Sequence, residues 1–331
     1  MRIRGRLDAR HERWPIAGSF VIAHGAKTAA DVVVATLTLD GHVGRGEATP
    51  YPRFGESVRG VLDEIARAAD AVAAGVTHDD LCDLLGPGAA RCAIDCAMWD
   101  LAAQLRGEPV HVLAGLSPPR PVVTALTISV GTPSVMAARA REHSDRAVLK
   151  VKLDGSARDQ ERLSAVHDAA PAARLIVDPN GSWSAQLYRT LAPRLPDYGA
   201  ALLEQPFGAE DALLASAPRP VAVAADEACR GRESIAGLAD RYDVINVKLE
   251  KAGGLTEAQR WTSEARAHGM GVMIGCHVCT SLTLAPALLL ATDADFVDLD
   301  AGLLLERDRD DGADYRGSEV CFPEKLWGTP R

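Results

Sequence analysis

Short apolar runs in the middle of this chain end, one after another, in charged side chains. Leu149-Lys150-Val151-Lys152-Leu153 holds two lysines one residue apart. Arg174–Val177 leads to Asp178, Ala201–Leu203 to Glu204, Val221–Ala225 to Asp226 and Val244–Val247 to Lys248. Residues two apart in a strand share a face, so Lys150 and Lys152 point the same way. Like charges side by side repel and lower each other's hold on a proton. A lysine depressed in this way is a base near neutral pH. Solvated edge strands also carry lysines, so the pair alone decides nothing. The three acids would repel too unless a cation lies among them. A donor set of carboxylate oxygens suits a hard ion, Mg²⁺ first and Mn²⁺ next. No His or Cys ends these three strands, so zinc fits less well. Separate ion pairs with the lysines are the alternative.

The elements that carry these residues follow from their spacing. Lys152, Asp178 and Glu204 are 26 residues apart, and Glu204, Asp226 and Lys248 are 22 apart. One strand, one helix and two loops need about this length. Val122–Thr127 upstream, with Gly271–Gly275 and Phe296–Val297 downstream, brings the count of strands to eight. The expectation is an α/β fold, a (β/α)₈-type barrel with function at the carboxyl ends of its strands. Lys150 and Lys152 then end strand two and Lys248 ends strand six, half a ring away. Asp178, Glu204 and Asp226 form an arc between them. A metal flanked by two opposed bases suggests proton transfer at a carbon next to a carboxylate. Lys152 would take the α-proton from one face and Lys248 return one to the other. Such carbon acids are weak, so stabilising the enediolate charge is the largest requirement.

Residues 1–115 read as an N-terminal α+β capping domain. Asp31–Leu39 is β-branched, Asp40-Gly41 signals a hairpin, and Val43–Glu47 is the return strand. Gly55–Ala74 and Ala89–Leu105 have helical periodicity. Ala23–Ala30 and Pro50–Glu56 read as loops able to reach a neighbouring site. Residues 116–302 are assigned to the barrel, and 303–331 to a segment packing back on the capping domain. The 331 residues are 47% hydrophobic and 24% charged, which excludes a disordered chain, and the net charge of −9 argues against nucleic acid and anionic membranes. No apolar signal core and no membrane span are evident. Seven cysteines, an odd number, argue for free thiols in a reducing, cytoplasmic setting.

With these residues in view, the chain resembles the enolase superfamily in its muconate-lactonizing-enzyme-like subgroup. The matching motifs are Lys150-Val151-Lys152, Asp178-Pro179-Asn180, Glu204-Gln205-Pro206, Asp226-Glu227, Asn246-Val247-Lys248 and Gly253-Gly254-Leu255, with the helix Ala93–Asp100. The resemblance implies that Asp178, Glu204 and Asp226 bind Mg²⁺, that Asn180 and Glu227 support them, and that Lys150 contacts the substrate carboxylate. Asp298 and Asp300 share a face on strand eight. This resembles the dipeptide epimerases, where an Asp-x-Asp receives the substrate α-ammonium; Thr127, Cys276 and Val278 would then line the substrate. The implied activity is two-base epimerisation of an L-Ala-D/L-Glu-like dipeptide, with a place in murein peptide metabolism. The chain departs from that branch at His24, which stands where the family has an arginine for the distal carboxylate, with Lys27 nearby. A histidine cannot make the same bidentate pair. Three alternatives remain: a lyase or cycloisomerase of the o-succinylbenzoate synthase or muconate cycloisomerase type, an N-acylamino acid racemase, and a metal-binding scaffold. The oligomeric state is not legible.

Overall fold

The architecture is that of a computed structural model describing residues 2–208 and 211–331. Its first sheet is antiparallel, with strands Arg6–Ile22, Gly25–Leu39 and His42–Ala48 in that order. Asp40 and Gly41 have φ of 49° and 84°, the left-handed pair that a two-residue hairpin needs. Leu39 pairs directly with His42 across that turn. The strand Arg6–Ile22 had no signal in the sequence. It is an edge strand, largely solvent-facing, that carries Arg, Asp, His and Glu in place of a β-branched run. The loop expected over Ala23–Ala30 is corrected, because Gly25 already pairs with Ile22. That stretch is the tip of a long hairpin, with Ala23 and His24 as its turn.

Helix Val58–Ala74 starts at Ser57, whose hydroxyl accepts the Gly60 N–H at 3.1 Å. Helix Ala89–Arg106 lies directly on the sheet because Gly44 and Gly46 carry no side chains. A Cβ there would stand 2.2 Å from the Ala97 carbonyl oxygen and 2.1 Å from that of Ala93.

Eight parallel strands follow: Leu126–Ile128, Val148–Lys152, Arg174–Asp178, Ala200–Glu204, Ala222–Ala225, Val244–Val247, Gly271–Gly275 and Phe296–Asp298. The ring closes between its ends through three bonds. Ala125 N–H donates to the Val297 carbonyl at 2.9 Å, Leu299 N–H to Thr124 Oγ1 at 2.8 Å, and Thr127 N–H to Asp300 Oδ2 at 2.7 Å. The first strand is shorter than expected. Val122 and Val123 leave the barrel and pair with Val320 and Glu319 of a C-terminal hairpin. Buried Thr124 and Ala125 mark the switch. Among the described residues the two 22-residue steps carry 3-10 turns in place of α-helices, Asp211–Ala215 after the fourth strand, then Arg232–Ser234 and Ala236–Leu238 after the fifth.

Inside the ring, Ala125, Ile176, Leu202, Ala224, Val244 and Met273 form an apolar plug. Ile176, Leu202 and Ala224 are each two residues before an acid, so they sit directly beneath Asp178, Glu204 and Asp226 on the inward face. The chain's last residues return to the first domain. Trp327 Nε1 donates to the Arg45 carbonyl at 2.9 Å, and Arg331 pairs with Asp100 at 2.8 Å.

Candidate active site

Strand register sets the acids and lysines at one level. Lys152 is directly opposite Asp178 in the ladder, and their side chains meet at 2.5 Å. Lys150 Nζ lies 2.6 Å from Glu204 Oε2, 2.7 Å from Asp298 Oδ2 and 3.2 Å from Asp178 Oδ2. Across the mouth, Lys248 meets Asp226 Oδ2 at 2.7 Å. All six of these residues on strands two to six are buried, with Asp178 and Glu204 fully so.

Each acid is held by a further polar partner. Asn180 donates its backbone N–H to Asp178 Oδ1 at 2.8 Å. Asn246 Nδ2 donates to Glu204 Oε1 at 2.8 Å. Lys251 Nζ donates to Asp226 Oδ1 at 2.7 Å and to two backbone carbonyls. Asn180 and Gln205 have φ of 50° and 38°, which turns the chain sharply after its strand. That turn lets Gln205 Oε1 accept the N–H groups of Asp226 and Ala228 at 2.9 and 3.0 Å. Lys251 and Gln205 were not singled out as functional from sequence; the Lys248-x-x-Lys251 spacing was the available signal for the first.

The capping domain fixes the loop that carries Lys248. Asp95 accepts the Thr256 N–H at 3.0 Å and so caps helix Leu255–Ala267 from outside. A Cβ on Gly254 would stand 2.4 Å from Asp95 Oδ2 and one on Gly253 2.3 Å from Arg91 Nε, which explains the paired glycines. Arg91 Nη2 donates to the Ala252 carbonyl at 2.6 Å. Over the mouth, Tyr51 stacks on His277 with ring centres 4.4 Å apart, and Arg53 pairs with Glu227 at 2.6 Å.

One cavity gathers most of the expected side chains. Its lining includes His24, Thr127, Lys150, Lys152, Lys248, Cys276, Val278, Asp298 and Asp300. Asp226 and Asn180 line it too, while Asp178, Glu204 and Glu227 do not. At strand eight, Asp298 Oδ1 is buried without a hydrogen-bond partner among the described residues. Burial and then Asp298 push the Asp300 carboxyl up to about 6. His24 Nε2 lies 2.9 Å from the Asn180 carbonyl oxygen.

The electrostatics correct one expectation. Burial opposes charge on Lys150, but Asp298, Glu204 and Asp178 hold its ammonium well above the usual lysine value. Lys248 is likewise raised, by Asp226 and Glu204 against the cost of burial. Neither is depressed by a like-charged neighbour in this arrangement, because the acids outweigh it. Burial would also raise Asp178 and Asp226, yet the neighbouring lysines hold both below the usual range. Glu204, by contrast, is pushed up to about 7 by burial and by Asp178.

Among the described residues no three His, Cys, Asp or Glu side chains stand close enough to grip a metal as they are. Lysine ammonium groups bridge the acids and supply the positive charge. The donor chemistry nonetheless fits a hard divalent cation. Among the described residues Asn180 Oδ1 and Glu227 Oε2 are buried oxygens with no hydrogen bond, and Glu204 Oε2 has only its ion pair with Lys150. Such groups are costly unless satisfied, and all three are oxygen donors of the kind Mg²⁺ takes.

The Cys276-x-x-Cys279 pair is not a disulfide, and all seven cysteines are free. Cys276 Sγ donates to the Asp298 carbonyl at 3.3 Å. Among the described residues no helix is long and apolar enough to cross a membrane.

Barrel, capping domain and paired lysines together define an enolase-type scaffold, and comparison with known proteins agrees. Residues 6–115 match the mandelate racemase / muconate lactonizing enzyme N-terminal domain, and residues 135–313 match the enolase C-terminal domain-like family. The chain belongs to that family. It is 41% identical over 312 residues to the L-Ala-D/L-Glu epimerase of Escherichia coli strain K12, covering 93% of this chain and 97% of that protein. An N-acetyl-D-glutamate racemase from a Pseudoalteromonas species is 36% identical, over 86% of this chain and 91% of its own. A solved enolase family member from Agrobacterium tumefaciens, described as homologous to dipeptide epimerases and holding sodium and L-Ala-L-Glu, superposes with a TM-score of 0.95. It is 45% identical and covers 99% of this chain and 100% of its own.

Proposed function

We propose that this chain is a Mg²⁺-dependent dipeptide epimerase acting on L-Ala-D/L-Glu. It inverts the α-carbon of the second residue. The carrying observation is the pairing of two features in one cavity: lysines on opposite walls, and a carboxylate pair at strand eight with an unpartnered oxygen. Asp178, Glu204 and Asp226 would hold the ion. When bound, Mg²⁺ supplies positive charge against the substrate carboxylate and so makes the adjacent C–H more acidic. With Asp178, Glu204 and Asp226 engaged by the ion, Lys152 and Lys248 would no longer be held by those acids and would be free for proton transfer.

The residues of the chain then divide the work. Lys152 Nζ removes the α-proton from one face. Lys248 Nζ delivers a proton to the other, and the roles exchange in the reverse direction. Lys150 holds the carboxylate. Asp298 and Asp300 receive the α-ammonium, while Thr127, Cys276 and Val278 line the dipeptide. Asn180 and Glu227 orient the ion's ligands. Seven free thiols suit a cytoplasmic setting.

The second reading, racemisation of an N-acylated amino acid, is favoured by the N-acetyl-D-glutamate racemase relative. It would leave the unpartnered Asp298 oxygen and Asp300 without a cation. Incubation with L-Ala-L-Glu and with N-acetyl-L-glutamate in D₂O separates the two. The epimerase takes up deuterium at the Glu α-carbon of the dipeptide and forms L-Ala-D-Glu. Exchange confined to N-acetylglutamate removes the dipeptide reading.

A further inference from the structure

The substrate cavity contains four lysines, and three are committed. Lys150, Lys152 and Lys248 each contact at least one carboxylate within 3.2 Å. The fourth, Lys27, makes no ion pair among the described residues, although it lines the same cavity. Asp31, the nearest acid on its own strand, is engaged by His11 at 2.8 Å and by Arg13 at 3.6 Å. Partial burial and the charge of Lys248 hold the Lys27 ammonium below the usual lysine value, opposed by Asp31.

The hairpin register explains why Lys27 points at the substrate. Phe20 pairs with Lys27, and Ile22 pairs with Gly25. Paired residues share a face, as do residues two apart, so Phe20, Ile22, Gly25 and Lys27 form one face, and all four line the cavity. Gly25 has no side chain, and a Cβ placed there would meet nothing within 4 Å. Space therefore remains beside the Lys27 stem, with Phe20 and Ile22 as its apolar wall. His24 is used differently. Its Nε2 is tied to the Asn180 carbonyl at 2.9 Å, which latches the hairpin to the loop after barrel strand three.

We infer that Lys27 is the residue that selects an acidic second residue in the dipeptide, by pairing its ammonium with the distal side-chain carboxylate. An unpaired cation on the wall of a cavity attracts an anion that enters it. The α-ammonium and α-carboxylate of the dipeptide have their own partners at strand eight and strand two. The distal carboxylate is the substrate group left for Lys27, and His24 serves as a latch rather than as that cation. This rests on the dipeptide-epimerase reading above.

The test measures kcat/KM for L-Ala-L-Glu and its neutral isostere L-Ala-L-Gln with the parent, Lys27→Met, Lys27→Arg and His24→Gln. The parent prefers Glu. Lys27→Met lowers the Glu:Gln ratio by about 10–100-fold, chiefly through KM, as expected for loss of a partly exposed charge pair. Lys27→Arg restores most of the ratio, which shows that charge rather than folding was lost. His24→Gln changes both substrates together and leaves the ratio near the parent value. A Lys27→Met enzyme that keeps the parent ratio overturns the assignment, as does collapse of the ratio in His24→Gln alone. If L-Ala-L-Gln is epimerised without any Glu preference, Lys27 is not selective but the epimerase reading stands. If neither dipeptide exchanges its α-proton, that reading falls, and Lys27 with it.

Discussion

The floor of the barrel mouth and the tip of the capping hairpin are built to different standards. On the floor, Asp178, Glu204 and Asp226 sit on consecutive strands, buried, each held by a named partner: Asn180, Asn246 and Lys251. Beneath them the apolar plug fills the ring with Ala125, Ile176, Leu202, Ala224, Val244 and Met273. At the tip, His24 and Lys27 are exposed, and His24 bonds to the barrel at the Asn180 carbonyl. The contrast separates two jobs. Charge stabilisation needs groups fixed before the reaction begins, and strand ends supply that. Choice among second residues needs only a side chain that reaches the substrate, and a hairpin tip can change it without disturbing the floor.

The largest effect should come from emptying the floor. Exhaustive chelation should abolish epimerisation, and Mg²⁺ should restore it, with Mn²⁺ as a substitute. Asp226→Asn loses a ligand charge and should fall by about a thousandfold or more in kcat, in line with several kcal/mol of lost charge stabilisation. Full activity of Asp226→Asn after EDTA treatment would falsify the metal assignment.

The strand-eight pair shares Lys150 with the floor through Asp298, and removing the substrate ammonium from it should cost less. An N-acetylated L-Ala-L-Glu cannot present an ammonium to Asp298 and Asp300. Loss of such a desolvated pair costs about 2–5 kcal/mol, so kcat/KM should drop roughly 30-fold to several thousand-fold. Equal turnover of the free and acetylated dipeptides would move the account toward the N-acyl racemase.

A smaller, pH-dependent effect has the same origin. Asp300 is raised to about 6 by burial and by Asp298. Below that pH it is protonated and no longer attracts the ammonium; above it the charge is present. For L-Ala-L-Gln, kcat/KM should therefore fall as pH drops through about 6, a free-enzyme transition. Asp300→Asn, though slower, should lack that transition. The same inflection in Asp300→Asn would assign it to another group.

The smallest effect is meant to leave chemistry alone. Ser57→Ala removes the hydroxyl that caps helix Val58–Ala74. It should lower unfolding stability by about 1 kcal/mol, read by urea denaturation, with kcat nearly unchanged. A large loss of kcat would mean that this helix helps to shape the mouth.

The same contrast decides what was legible in the sequence. The lysines and acids stood out because a strand end forces each to a fixed period along the chain. The Asp40-Gly41 turn was legible because its left-handed backbone restricts residue choice. The edge strand Arg6–Ile22 was not, since a solvent-facing strand shows no apolar alternation. Val122–Val123 looked like barrel because a strand's partner is set by tertiary contacts, here the C-terminal hairpin. Lys251, Gln205 and the Arg53–Glu227 pair went unassigned because their roles depend on partners distant in sequence or on backbone turns. The depression expected of Lys150 fails for a related reason: local spacing shows its neighbour Lys152 but not Glu204 and Asp298 from strands four and eight.

The central claim is that each lysine serves one face of the α-carbon. Lys248→Ala, loaded with Mg²⁺ and given L-Ala-L-Glu and L-Ala-D-Glu in D₂O, tests it most directly by ¹H NMR. The account predicts that one epimer exchanges its α-proton from the Lys152 side while neither converts to the other, and that Lys152→Ala shows the opposite epimer exchanging. Epimerisation at the parent rate in both variants would contradict it.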